Sequence, residues 1–108
     1  LGLRAFNGTF VGTYKTNPFT PLQGGRSLAG PLNLKVTGGK VTITKPARGT
    51  GTIKVTNSTR GRFTFSFTVR GILITGSGTI TILADGTCTA KGSWSGGGGR
   101  GSWEVARV

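Results

Sequence analysis

Glycine and proline punctuate this chain so densely that the longest stretches free of both, Thr52 to Arg60 and Arg62 to Arg70, are too short for an ordinary three-turn helix. Helix is nearly excluded. Between the breakers, hydrophobicity alternates. Phe63, Phe65, Phe67 and Val69 share one face of an extended segment, and Arg62, Thr64, Ser66 and Thr68 share the other. The same parity recurs in Leu32, Leu34 and Val36; Val41 and Ile43; Ile53 and Val55; Ile72 and Ile74; Ile80 and Ile82; and Trp103 and Val105, with Leu73 as the main exception. Strands with one apolar face belong to an antiparallel sheet around one core, because parallel strands covered on both faces are apolar throughout.

Turn residues fall between these segments. Gly38-Gly39 separates the Leu34 and Val41 strands, Asn57 to Gly61 precedes the phenylalanine strand, and Arg70-Gly71 follows it. Asp85-Gly86 is the strongest signal, read as a two-residue hairpin between Ile82 and Cys88. The sequence therefore predicts an all-β fold of about eight short antiparallel strands in a meander, at 8–16, 30–37, 40–45, 50–57, 62–70, 72–83, 87–95 and 101–107. Residues 17–29 form the one long connection. Such a meander closes into a small closed or partly open β-barrel, with a two-sheet β-sandwich as the alternative. Gly12, Gly51, Gly76, Gly78 and Gly92 fall on inward positions, where they let a tightly coiled barrel bend and admit Phe and Trp opposite them. Gly96 to Gly99 reads as a flexible hairpin loop, since a phosphate-cradling glycine loop needs a following helix.

The 108 residues read as a single all-β domain, and a chain that starts at Leu1 and contains no Met reads as a processed or excised piece of a longer precursor. With no His, one Cys and two carboxylates, the usual acid–base, nucleophilic and metal-binding constellations cannot be assembled. No catalytic, cofactor or metal residue is assigned. Cys88 shares the parity of Ala90 and Trp94, which reads as a buried, inert thiol. No apolar run approaches the length of a membrane-spanning helix, so the chain reads as soluble. Its wealth of Thr, Ser and Gly suits an extracellular or cell-surface protein. Asn7-Gly8-Thr9 and Asn57-Ser58-Thr59 fit the glycosylation acceptor pattern, and they also fit ordinary turn chemistry.

The opening Gly8-Thr9-Phe10-Val11-Gly12-Thr13-Tyr14, the segment Ala90-Lys91-Gly92-Ser93-Trp94-Ser95 and the closing Gly101-Ser102-Trp103-Glu104-Val105 resemble Gly/Thr-rich β-modules of large secreted bacterial proteins. The resemblance covers most of the chain in low-information motifs. It implies a structural or adhesive part and carries over no functional residue. Streptavidin-like and lipocalin-like barrels share the Gly-x-Trp pattern and the eight-strand layout, but the chain lacks their specific motifs.

Charge is the remaining clue. Fourteen Lys and Arg against two Asp and Glu leave a net charge of +12, and that excess is self-repelling unless counterions or a polyanion lie close. Lys45, Arg48, Arg60, Arg62 and Arg70 are the candidate polyanion contacts, expected to gather at a barrel end, while Lys15, Lys35, Lys54, Lys91 and Arg100 are dispersed. The expected partners are anionic polysaccharide, an anionic cell surface or nucleic acid. The large aromatics alternate inward, leaving Tyr14 and Phe19 as the expected exposed ones. The reading is a non-enzymatic secreted or surface structural or adhesive module. Its alternatives are a calycin-like ligand barrel and a fibre subunit that self-associates by donating Leu1 to Phe6 as a strand.

Overall fold

A computed structural model describes residues 3–22, 24–25 and 27–108. A 3-10 turn at Leu3–Phe6 leads into eight strands: β1 (Gly8–Thr16), β2 (Ala29–Thr37), β3 (Lys40–Lys45), β4 (Gly49–Asn57), β5 (Arg60–Val69), β6 (Ile72–Ile82), β7 (Cys88–Gly96) and β8 (Gly99–Arg107). Each strand pairs antiparallel with the next, and β8 returns to β1, so the sheet is a closed barrel with no free edge. The barrel, rather than the sandwich, is formed.

The register fixes how wide that barrel is. Following the direct cross-strand partners from Gly8 leads through Val36, Val41, Gly51, Phe65, Gly76, Trp94 and Gly101 and back to β1 at Thr16. The path returns 16 − 8 = 8 residues along the starting strand. Eight strands with a stagger of eight is the geometry of barrels whose interior is filled by side chains.

Filling it depends on glycine. On the path just traced, Gly51, Phe65, Gly76, Trp94 and Gly101 alternate glycine and aromatic across five neighbouring strands. A Cβ at Gly76 would strike the Phe65 ring, and one at Gly101 both the Lys15 carbonyl of β1 and the Trp94 indole. At Gly12, Gly51, Gly78 and Gly92 a Cβ would instead meet the backbone of the neighbouring strand. These glycines therefore serve two purposes: some make room for rings, and others let strands cross closely where the sheet coils. The rings pack edge-on or stacked, with Phe65 centred 5.9 Å from Phe63, 5.9 Å from Phe67 and 5.1 Å from Trp103. Both indole N–H groups find acceptors, Trp94 on the Lys15 carbonyl and Trp103 on those of Ser77 and Ser93.

Side chains also cover the mouths. Leu22 and Leu28 of the long connection are buried at one end, where Thr16 Oγ1 donates to the Leu28 carbonyl and accepts from its N–H. Phe6 is buried at the other, where the Arg107 guanidinium donates to the carbonyls of Ala5, Asn7 and Gly86.

Several expectations need correction. Tyr14 is only 5% exposed and lies between Phe67 and Trp94. It shares the inward parity of Phe10 and Gly12. Val55 is 39% exposed rather than core: it keeps the inward register opposite Gly61 but lies near the end of β4. The β6–β7 loop is the three-residue Ala84-Asp85-Gly86, closed by the Gly86 N–H donating to the Leu83 carbonyl, with Gly86 at φ +87°. A two-residue loop at Asp85-Gly86 would set Ile82 against Thr89 and turn one strand's apolar face outward. The Gly96–Gly99 segment is shorter as a loop than expected, since Gly96 pairs with Gly99 and only Gly97-Gly98 turn. Leu3–Phe6 is a 3-10 turn with Phe6 buried, not an extended donor strand, and Leu1 lies outside the described residues.

Candidate polyanion-binding surface

Inward apolar parity puts the polar residues of every strand outside, and the register then decides which of them are neighbours. One outer row runs Lys40, Thr52, Thr64, Ser77, Ser93, Ser102, Lys15, each directly opposite the next from β3 round to β1. Five hydroxyls thus stand between two lysines, and Thr52 and Thr64 already share a hydrogen bond at 3.1 Å. The adjacent row runs Lys54, Arg62, Thr79, Lys91, Glu104, Thr13. Over β6, β7, β8 and β1 the two rows line an open groove of about 750 Å³, floored by Gly78, Gly92 and Trp103. Its walls are Thr13, Lys15, Ser77, Thr79, Lys91, Ser93, Ser102 and Glu104. Glycines at the crossing of β6 and β7 let the strands coil there, so the outer face is hollowed where a wider barrel would be smoothly convex.

Electrostatically, the second row is uneven. Lys54 and Arg62 are direct cross-strand partners, a like-charge placement that costs stability in a sheet. Neither acid relieves it. Glu104 lies three strands from β5, opposite Lys91, and Asp85 sits in the β6–β7 loop, where Thr87 hydrogen bonds hold its carboxyl below the usual range. Arg60 is two residues from Arg62 on the same outer face.

The five candidate contacts divide between two places. Arg60 and Arg62 belong to the lateral face, near the β4–β5 turn. Lys45 at the end of β3, Arg48 on the β3–β4 turn and Arg70 on the β5–β6 turn stand at the opposite end of the barrel, as does Arg100 near the start of β8. Sequence reasoning left Lys15, Lys54 and Lys91 dispersed because their adjacency exists only through register. The signal was present in the turn lengths, once the bulge near Asn57 is known.

Other singled-out residues are placed plainly. Cys88 is buried, and burial pushes its thiol up despite the opposing Arg107 charge. Burial likewise raises the Tyr14 phenol, opposed by Arg70. Phe19 is 91% exposed, as expected. Asn7 Oδ1 accepts from the Gly38 N–H, and Asn57 Oδ1 accepts from the N–H and hydroxyl of Thr59, so both asparagines perform turn chemistry. Among the described residues no helix is long and apolar enough to cross a membrane. The barrel wears hydroxyls and cations outside and apolar side chains inside, the reverse of a lipid-facing barrel.

Comparison with known proteins returns no matching family model, no matching curated protein and no matching solved structure.

Proposed function

We propose that this barrel is a non-enzymatic, structural or adhesive module, secreted or displayed at a cell surface, that binds an anionic polysaccharide across the two outer rows. The observation that carries this is the hydroxyl row between Lys40 and Lys15, bordered by Lys54, Arg62 and Lys91. Serine and threonine hydroxyls both donate and accept, which suits the alternating donors and acceptors of a sugar chain. The lysines and Arg62 meet its carboxylates or sulfates. Lys54 and Arg62, unfavourable neighbours alone, are relieved by one shared anion. Nucleic acid fits less well, because the outer rows present no aromatic side chain for stacking bases. The filled interior supports an outside contact over a ligand held within.

The test is a salt titration of affinity for a uronate-rich polysaccharide. If four of the five row cations contact the polymer, log K should fall against log salt with a slope of about −3, using the value for flexible single-stranded polyanions. Lys15→Glu with Lys91→Glu should flatten it by more than one unit. Absence of binding at low salt, or equal affinity in the double variant, overturns the reading.

A further inference from the structure

The end of the barrel formed by the β1–β2, β3–β4, β5–β6 and β7–β8 connections combines three features that the lateral face does not share. First, among the described residues it carries Lys45, Arg48, Arg70 and Arg100 and no carboxylate, since Asp85 lies in a turn at the opposite end and Glu104 in mid-strand. Second, Phe19 is 91% exposed at the tip of a braced turn. The Thr20 N–H donates to the Asn17 carbonyl, the Phe19 N–H donates to Asn17 Oδ1, and Pro18 presets the turn. The turn is tied to the barrel, because the Asn17 N–H donates to the Arg100 carbonyl and the Arg100 N–H to that of Thr20. Third, Leu73, 60% exposed, shares a surface hollow with Arg48.

A phenylalanine on a mobile loop could fold back onto the protein. Here the bracing hydrogen bonds hold the ring outward. An exposed apolar tip and a set of cations at one end of the barrel match an anionic bilayer: the ring enters the boundary between headgroups and acyl chains, and the cations remain among the phosphates. A soluble polyanion would use the cations and leave Phe19 and Leu73 idle.

We propose that this end docks on the surface of an anionic membrane, with Phe19 inserting and Lys45, Arg48, Arg70 and Arg100 contacting headgroups. The site adjoins the outer rows at Arg100, which shares a hollow with Ser77 and Ser93, and is distinguished from them by Phe19, Lys45, Arg48 and Arg70.

The experiment uses the full chain with vesicles of phosphatidylcholine alone or mixed equally with phosphatidylglycerol. Phe19→Trp adds a reporter at the tip, Trp94 and Trp103 being buried. The expected result is binding to the mixed vesicles only, with a blue shift of the new tryptophan and quenching by brominated lipid. Phe19→Ser should weaken partitioning about tenfold. Arg48→Glu and Arg70→Glu should each weaken it about fivefold or more. Lys54→Glu with Lys91→Glu, away from this end, should change it much less. Unchanged vesicle affinity in Phe19→Ser, or emission from the Phe19→Trp variant that vesicles leave unmoved, overturns the proposal. So does binding of a soluble polyanion that depends on Arg48 and Arg70 while vesicles are ignored, which would make this end a polymer site. Thermal melts of each variant confirm that the fold is intact.

Discussion

The alternation of glycine and aromatic around the barrel makes a specific thermodynamic prediction at the Phe65–Gly76 pair. The two are direct cross-strand partners, and the three nearest atoms to a Cβ built on Gly76 all belong to the Phe65 ring. Phe65→Ala removes a buried ring that touches Phe63, Phe67 and Trp103. Phe→Ala in cores costs about 3–5 kcal/mol, and the partners on either side, Gly51 and Gly76, have no side chains to collapse into the hole, so about 4 kcal/mol is expected. Gly76→Ala alone overpacks the ring, about 1–3 kcal/mol, offset in part by about 0.4–1 kcal/mol from a stiffer unfolded chain, for a net of about 1.5 kcal/mol. With the ring gone, the alanine meets open space and keeps only its entropic benefit. The double variant should then cost about 3.5 kcal/mol, less than Phe65→Ala alone and about 2 kcal/mol below the sum of the singles. Urea unfolding followed by tryptophan fluorescence measures all four corners of the cycle. Gly92→Ala is the control: its nearest contacts are backbone atoms of Ser77 and Gly78, so Phe65→Ala cannot relieve it and the two costs should add. Additivity within about 0.5 kcal/mol at Phe65 and Gly76 would refute the room-making role of the glycine.

Two further outcomes follow from the same packing. The folded pKa values of Cys88 and Tyr14 lie above their unfolded values of 9.0 and 10.0, so their contribution is intact below pH 9 and drains away as pH rises past each. The depressed Asp85 carboxyl acts in the other direction and only below about its unfolded 3.8; thermal melts in matched salt should therefore agree at pH 7 and pH 5 and fall above pH 9, and a collapse between pH 7 and pH 5 would contradict this. Phe6→Ala should lower stability by about 3 kcal/mol while leaving the molecular mass in solution unchanged, because Phe6 covers a barrel mouth within its own chain. A change in assembly state measured by light scattering would restore the strand-donation idea.

The strands, their order and most of the core could be read from the sequence because period-two alternation and glycine punctuation act locally. What escaped was set by single-residue choices in the turns. Between β4 and β5, Asn57 pairs with Arg60, yet Val55 pairs with Gly61 and Lys54 with Arg62, so one residue is bulged out. Continuing the Asn57–Arg60 pairing without that bulge would set Lys54 against Phe63, with one of the two on the wrong side of the sheet. The bulge is thus demanded by the apolar faces, but no local residue pattern announces it. The like-charge pair Lys54 and Arg62 is its direct product. Tyr14 is the opposite case: its parity with Phe10 and Gly12 already places it inside.

The same stagger that fills the interior also explains where function must be sought. A barrel of eight strands and stagger eight leaves its inner volume to Phe63, Phe65, Phe67, Trp94 and Trp103, with Leu22, Leu28 and Phe6 buried at its ends. Both proposed contacts accordingly use positions that packing leaves free, namely outward side chains and turn tips. On the outside, antiparallel pairing aligns chemically similar residues from distant parts of the chain, such as Thr52, Thr64, Ser77, Ser93 and Ser102, into rows. At the ends, alternate connections segregate charge: β1–β2, β3–β4, β5–β6 and β7–β8 share one end, and Lys45, Arg48, Arg70 and Arg100 lie at that end without an acid. A meander turns sequence periodicity into two separable surfaces, one lateral and one axial. Charge reversals confined to one should leave the other's affinity intact except for the long-range field that added salt screens.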